Sequence, residues 1–237
     1  MQRQEQSGVV FSGGGVLNEF YEIGWNTLEE IKSQGLSVLL LPSTVSFRNV
    51  PAIPFSEDDV IFLRDKPSFH ACKKLTSSIH LSHDLVFYPS REHWDTIMKK
   101  GKSLRAAVRR LQTLHRATGK RRSLLMLLNQ KVRLNFFRED AESTGRPSGL
   151  TFNTDCTKAL GKASQDSWEE NHIVVSNFLN FLSMFKEVQT DRLHGAIACH
   201  TLGIKCELSA GAYWKNRAVF DHSLKNAINS NVTLRPE

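Results

Sequence analysis

No apolar run in this chain of 237 residues approaches the roughly 20 residues that a membrane-spanning helix needs. A Cys-x-x-Cys pair is also missing. The four cysteines, Cys72, Cys156, Cys199 and Cys206, are scattered, which points away from a zinc site or disulfide frame and toward reduced thiols. The one glycine cluster lacks a following Gly-Lys-Ser/Thr and the spacing of a dinucleotide fingerprint, so a Walker loop and a Rossmann cofactor turn are excluded. Residues 1–6 are polar and precede only a short apolar run, which does not read as a signal peptide. What remains, at 40% hydrophobic and 23% charged residues, is ordinary globular material for one large domain or two small ones.

Acidic residues are absent between Lys99 and Arg122, where ten lysines and arginines fall. That stretch accounts for the net charge of +7 and leaves the rest of the chain slightly acidic, so the basicity is local. Leu104, Val108, Leu111 and Leu114 recur at helical spacing, with Arg105, Arg109, Arg110 and Arg116 on other faces. The pattern predicts an amphipathic basic helix ending near Gly119. Such a helix can touch nucleic acid, an anionic membrane or a phosphorylated acceptor. Its plainer reading is the solvated face of a connecting helix.

Along the chain, residues 8–12 read as a strand running into Gly13, Gly14 and Gly15, where a loop through Tyr21 would let backbone amides approach a ligand. A helix over 26–34 stops at Gly35, and the aliphatic run 36–41 reads as a doubly covered strand that gives way to a loop at Pro42. Further strands are expected over 59–63, 79–88, 124–128, 132–137 and 205–208. Helices are expected over 66–75, 168–185 and 216–228, the second with Ile173, Val174, Phe178, Phe181 and Leu182 inward. Strands alternating with helices predict parallel sheets, whose ligands bind beyond the carboxyl ends of strands. The expected division is an N-terminal α/β domain over 1–92, a basic connecting helix over 93–122 and a C-terminal α/β domain over 123–237, with a cleft between the domains.

The stretch Thr190-Asp191-Arg192-Leu193-His194-Gly195 concentrates the candidate chemistry. Leu193, Ile197 and Leu202 mark the buried face of a helix that Gly203 would stop, with Thr190 or Asp191 as N-cap. Arg192 and His194 then sit in a first turn whose free amides favour an anion, a phosphate or a carboxylate. The same residues also suit a surface ion pair and a satisfied histidine.

This segment, with Leu202-Gly203-Ile204-Lys205 after it and Lys215 downstream, resembles the C-terminal signature of the polysaccharide pyruvyl transferase family. Ser12-Gly13-Gly14-Gly15 resembles that family's glycine-rich loop, and Arg64-Asp65-Lys66-Pro67-Ser68 its R-D-x-x-S element. His83-Asp84 stands where the family carries an aspartate after a strand, and Phe137-Arg138-Glu139-Asp140-Ala141-Glu142 is similar to a segment of its exopolysaccharide-synthesis members. The resemblance implies a fold like GT-B, two Rossmann-like parallel-sheet domains, here with a shortened N-terminal domain on the acceptor side. It implies transfer of a pyruvyl group from phosphoenolpyruvate to two hydroxyls of a sugar, giving a cyclic ketal and phosphate.

Carried over residue by residue, Arg192 and His194 would hold the donor, Lys215 its phosphate, and Arg64 would be a second required arginine with Arg138 as competitor. Gly13, Gly14 and Gly15 would contact substrate. Arginine offers bidentate pairing and lysine a point charge, as a carboxylate and a phosphate require. His194 is the expected general acid toward the enol carbon. Glu19 and Asp191 are candidates for the base, Asp191 reading better as a cap or orienting carboxylate. No metal or cofactor is expected, and no sequence-specific nucleic acid. The acceptor would be a sugar or glycan, with a lipid-linked one open. The expected place is the cytoplasm, at a membrane surface if residues 99–122 make peripheral contact, or a Golgi lumen for a eukaryotic chain with an anchor. The competing readings are a GT-B glycosyltransferase using a nucleotide-sugar, a truncated inactive relative, and an anion-binding module.

Overall fold

The computed structural model describes residues 8–18, 22–46, 55–100, 107–108, 110–112, 115, 133–140, 142–143, 153, 155 and 167–235. The chain divides into two units, Met1–Tyr88 with Ala218–Ser223, and Pro89–Arg217 with Leu224–Glu237. Both are α/β, each built on a wholly parallel sheet.

In the first unit, β1 (Gly8–Phe11) and β2 (Gly14–Asn18) both pair with β3 (Ser37–Ser46), which then pairs with β4 (Val60–Leu63) and through it β5 (Ile79–Leu81). Parallel neighbours need a crossover. Here α1 (Glu22–Ser33) joins β2 to β3, and α2 (Lys66–Cys72) joins β4 to β5. Leu17, Leu28, Val38, Leu40, Val45, Ile61 and Leu63 form the core, each such side chain contributing about 1.5–3 kcal/mol by leaving water. Lys32 of α1 pairs with buried Asp59 at 2.7 Å, and Asp59 also accepts from the amide of Val38, tying helix to sheet. Asp65 caps α2, its carboxylate taking the Ser68 amide at 2.8 Å with Pro67 in the first turn.

Several expectations change in this unit. The residues after Gly13 are a strand and not a loop: β2 runs from Gly14 beside Ser43 to Asn18 beside Ser46. Gly13 is glycine because the chains approach closely, as a Cβ there would lie 2.6 Å from the Pro42 carbonyl oxygen. Gly14 is the residue that uses the positive-φ region, at φ +122°. Pro42 does not end β3. It falls where the β3–β4 pairing shifts register between Leu40 and Ser43, a bulge that tolerates the missing amide. The strand expected over 79–88 stops at Leu81, after which Asp84 caps a 3₁₀ turn, Leu85–Phe87.

In the second unit, β6 (Arg133–Phe136), β7 (Glu187–Thr190), β8 (Lys205–Leu208) and β9 (Val232–Leu234) lie side by side in sequence order. Phe136, Thr190, Leu208 and Leu234 are level across the sheet, so residues following these strands share one edge. Helix α4 (Trp168–Leu182) starts at Ser167, whose hydroxyl takes the Glu170 amide, with Glu169 and Glu170 facing the positive end of the dipole. It packs on α3 (Arg91–Lys100), where Ser176 and Asn180 both donate to the Met98 carbonyl. Ile173, expected inward on α4, is 39% exposed, and Ser176 and Asn177 take buried positions instead.

Helix α5 (Leu193–Leu202) ends at Gly203 as expected. The helix expected over 216–228 is shorter, α6 (Lys215–Val219) continuing as a π turn, Phe220–Leu224, and β9 follows it unforeseen. Of the basic helix, the described residues 107–108, 110–112 and 115 are helical, but Val108 and Leu111 are exposed. Arg110 points inward instead, donating to Asn177 at 3.2 Å, so the expected apolar stripe is not a buried face there. Leu104, Leu114, the 124–128 strand and most of 145–162 lie outside the described residues.

Candidate functional site

The level carboxyl edge of the second sheet positions the candidate site. At the end of β7, Thr190 is fully buried; its hydroxyl donates to the Phe136 carbonyl at 2.6 Å and accepts the Arg192 amide at 3.0 Å. Beyond β6, the Arg138 amide donates to Asp191 at 2.8 Å, locking the two strand exits together. The residue at the N-cap of α5 is therefore Arg192, not Thr190 or Asp191, and no side chain among the described residues completes the cap. Gly195 rests on Phe136, where a Cβ would come within 2.9 Å of the ring.

Three of the expected cations gather along this edge. Arg138 donates from Nε to Asp140 at 2.8 Å and from Nη1 to Glu142. Arg192 donates from Nη2 to Asp140 at 3.1 Å and to Asp155 at 2.5 Å, with its guanidinium 5.9 Å from the Phe136 ring centroid. Lys215 enters from α6, donating to the same Glu142 oxygen that Arg138 uses, and sits 4.9 Å from the Tyr213 ring centroid. Arg138, Glu142, Asp191, Tyr213, Lys215 and Asn216 line a small recess. Asp140, Glu142 and Asp155 thus hold these cations. Their part was unforeseen, although the Arg138-Glu139-Asp140-Ala141-Glu142 run carried a signal in its three carboxylates beside one arginine.

The remaining expected residues lie elsewhere. His194 is exposed on the first turn of α5 and does not line the recess. Arg64 belongs to the first unit, 1% exposed, with Nε on Thr44 at 2.9 Å and Nη1 on Asp84. Gly13, Gly14 and Gly15 also belong to that unit, Gly13 just before β2 and the other two at its start. Glu19 lies outside the described residues.

The electrostatics separate two neighbouring carboxylates. Burial opposes ionisation of Asp140, but the Arg138 hydrogen bond and the charges of Arg138 and Arg192 prevail, holding its carboxyl below the ordinary value. For Asp191, burial prevails over the Arg138 amide and the same two charges and pushes its carboxyl up. A carboxyl whose pKa is raised on folding favours the native state below its unfolded value and loses that contribution as pH rises through the folded value. Asp191→Asn should therefore gain stability over the parent as pH rises through that range and show no gain in acid. Thermal melts across pH check this; a difference that is constant or reversed contradicts it.

A family model for polysaccharide pyruvyl transferase matches residues 3–206. Among solved structures, the chain is similar to a functionally uncharacterized protein of Klebsiella pneumoniae, with 22% identity, a TM-score of 0.63, and coverage of 100% of this chain and 80% of that one. That likeness supports the α/β fold. Among curated proteins none matches the sequence. No helix among the described residues is long and apolar enough to cross a membrane.

Proposed function

The chain belongs to the polysaccharide pyruvyl transferase family, and from that premise we propose that it moves a pyruvyl group from phosphoenolpyruvate to a sugar or glycan, forming a ketal and releasing phosphate. The observation that carries this reading is the convergence of Arg138, Arg192 and Lys215 at the carboxyl edge of the second sheet. A donor with a carboxylate and a phosphate needs such a cluster, and no single cation would suffice. Bound donor would take over cations that Asp140, Glu142 and Asp155 now hold. Arg192 stands at the N-cap of α5, where the helix dipole also favours an anion.

In this reading the enol carbon is protonated, a sugar hydroxyl attacks the resulting oxocarbenium-like centre, and the cations support the departing phosphate. His194, exposed on α5, is the proposed acid. Arg64 and the glycines of residues 13–15 belong to the proposal only as residues of the N-terminal, acceptor-side unit of a GT-B arrangement.

Calorimetric titration with phosphoenolpyruvate tests the reading. The parent should bind, and Arg192→Ala and Lys215→Ala should each lose about 1.5–3 kcal/mol per charged hydrogen bond removed. A folded parent that shows no heat of binding defeats the proposal, as does binding that survives both substitutions.

A further inference from the structure

The recess carries a second, opposite signal. Asp191 is 1% exposed and Asn216 2% exposed, and both line it. Among the described residues, Asp191 Oδ2 and Asn216 Oδ1 have no hydrogen-bond partner. The orientation of Asn216 is fixed, because its Nδ2 donates to the carbonyls of Asp191 at 2.7 Å and Ser209 at 3.0 Å, leaving Oδ1 as the free atom. Asp191 Oδ1 is engaged by the Arg138 amide, which leaves Oδ2. Buried polar atoms are almost always satisfied, and an orphan calls for an explanation such as a catalytic role or a group that binds it. Arg192 Nε, a donor, is also buried and has no hydrogen-bond partner among the described residues.

These atoms sort by chemistry. An orphan N–H suits an anion, and Arg192 is already placed for one. Two orphan acceptors do not suit a fully ionised phosphoenolpyruvate, which presents only lone pairs. They call for a ligand that brings O–H donors. Resting on the transferase reading, we infer that Asp191 Oδ2 and Asn216 Oδ1 form the acceptor-hydroxyl subsite, and that Asp191 is the base that deprotonates the attacking sugar hydroxyl. As the hydroxyl oxygen bonds to C2 of the donor, its proton passes to Asp191 Oδ2. The C2–O bond to phosphate then breaks, and the second hydroxyl closes the ketal. Two hydroxyl protons are released in all; one offsets the proton added to the enol carbon and the other leaves on phosphate.

Arg138 and Lys215 line the recess with this carboxylate and share Glu142, while Asp140 links Arg138 to Arg192. The raised carboxyl of Asp191 places it closer to neutrality, where a base works best. The assignment replaces the orienting role expected for Asp191 from sequence.

The test uses the full chain and three probes, methyl β-D-galactopyranoside, methyl β-D-glucopyranoside and methyl α-D-mannopyranoside, with phosphoenolpyruvate present. Asp191→Asn turns the Oδ2 position into a donor while keeping the shape. Donor binding by calorimetry should not weaken, since a negative charge beside Arg138 and Arg192 is removed, the sugar saturation-transfer signal should vanish, and phosphate release should fall about 10²–10⁴-fold with its acid limb abolished. A parent that binds no phosphoenolpyruvate sinks the transferase reading and this assignment together. A parent that binds the donor but gives no signal with any sugar overturns the hydroxyl subsite alone. So does an Asp191→Asn protein that keeps its turnover or loses the donor. Should that variant not fold, the parent's pH profile decides: phosphate release must rise with pH through a carboxyl titration, and a flat acid side overturns the assignment.

Discussion

Asp84→Ala is expected to lower the stability of the first unit by about 3–5 kcal/mol, the usual consequence of removing one partner from a buried ion pair. Arg64 is 1% exposed, and its guanidinium donates to Asp84 on one side and Thr44 on the other. Asp84 also takes the Val86 amide at 3.1 Å, which starts the 3₁₀ turn after β5. Losing the carboxylate leaves a desolvated cation against β3 and β4 and frees the turn. Hydrogen exchange at β3 and β4 amides reads the loss within this unit, independent of the second. Replacing both residues by apolar ones, Arg64→Met with Asp84→Leu, should recover much of it, because the charges disappear together. The double variant also tests the substrate role that the family resemblance implies for Arg64. Unchanged phosphoenolpyruvate affinity would leave Arg64 a structural role alone. A large loss of affinity in a stable double variant would restore it to the site.

What the sequence made legible follows from which forces act locally. Continuous aliphatic runs such as Val38 to Leu41 and Val60 to Leu63 read as strands because parallel sheets are covered on both faces. The start of β2 did not read as a strand, since two glycines suggest a loop unless one knows that β3 lies beside them. Pro42 misled in the same way: a proline normally ends a strand, and only the register shift between Leu40 and Ser43 accommodates it. In α4 the apolar pattern placed Ile173 inward, whereas packing against α3 selects Ser176 and Asn180, which reach the Met98 carbonyl. That choice is tertiary, and periodicity does not carry it.

The candidate site was half legible. Arg192, Arg138 and Lys215 were named from motifs, and the structure brings them to one edge. Their carboxylate partners were not, because Asp155 meets Arg192 across 37 residues and Glu142 meets Lys215 across 73. Nor did the sequence distinguish Asp191 from an ordinary cap. Its distinguishing property is a buried oxygen with no partner among the described residues, which exists only once β6 and β7 exit together. Local spacing exposes the charged groups; the environment that assigns their roles is assembled from distant segments.

Glu142→Gln should produce the second large effect, and its sign depends on what else is in solution. One Glu142 oxygen accepts from both Arg138 and Lys215, and Glu142 and Lys215 are 3% and 6% exposed. Glutamine keeps the shape but removes the charge that buried Lys215 shares with part-buried Arg138, which keeps its bond to Asp140. In buffer without polyvalent anions the second unit should lose about 3–5 kcal/mol. Inorganic phosphate should then restore stability more in the variant than in the parent, because the anion no longer competes with the carboxylate. Each tenfold rise in phosphate above its dissociation constant should return about 1.4 kcal/mol. Thermal melts across a phosphate series at fixed ionic strength separate this from general screening. If phosphate stabilises both proteins equally, Glu142 does not occupy the anion's place and is a structural link between β6 and α6. Preferential rescue of the variant would identify the cation pair as the anion site and Glu142 as the group that substrate displaces.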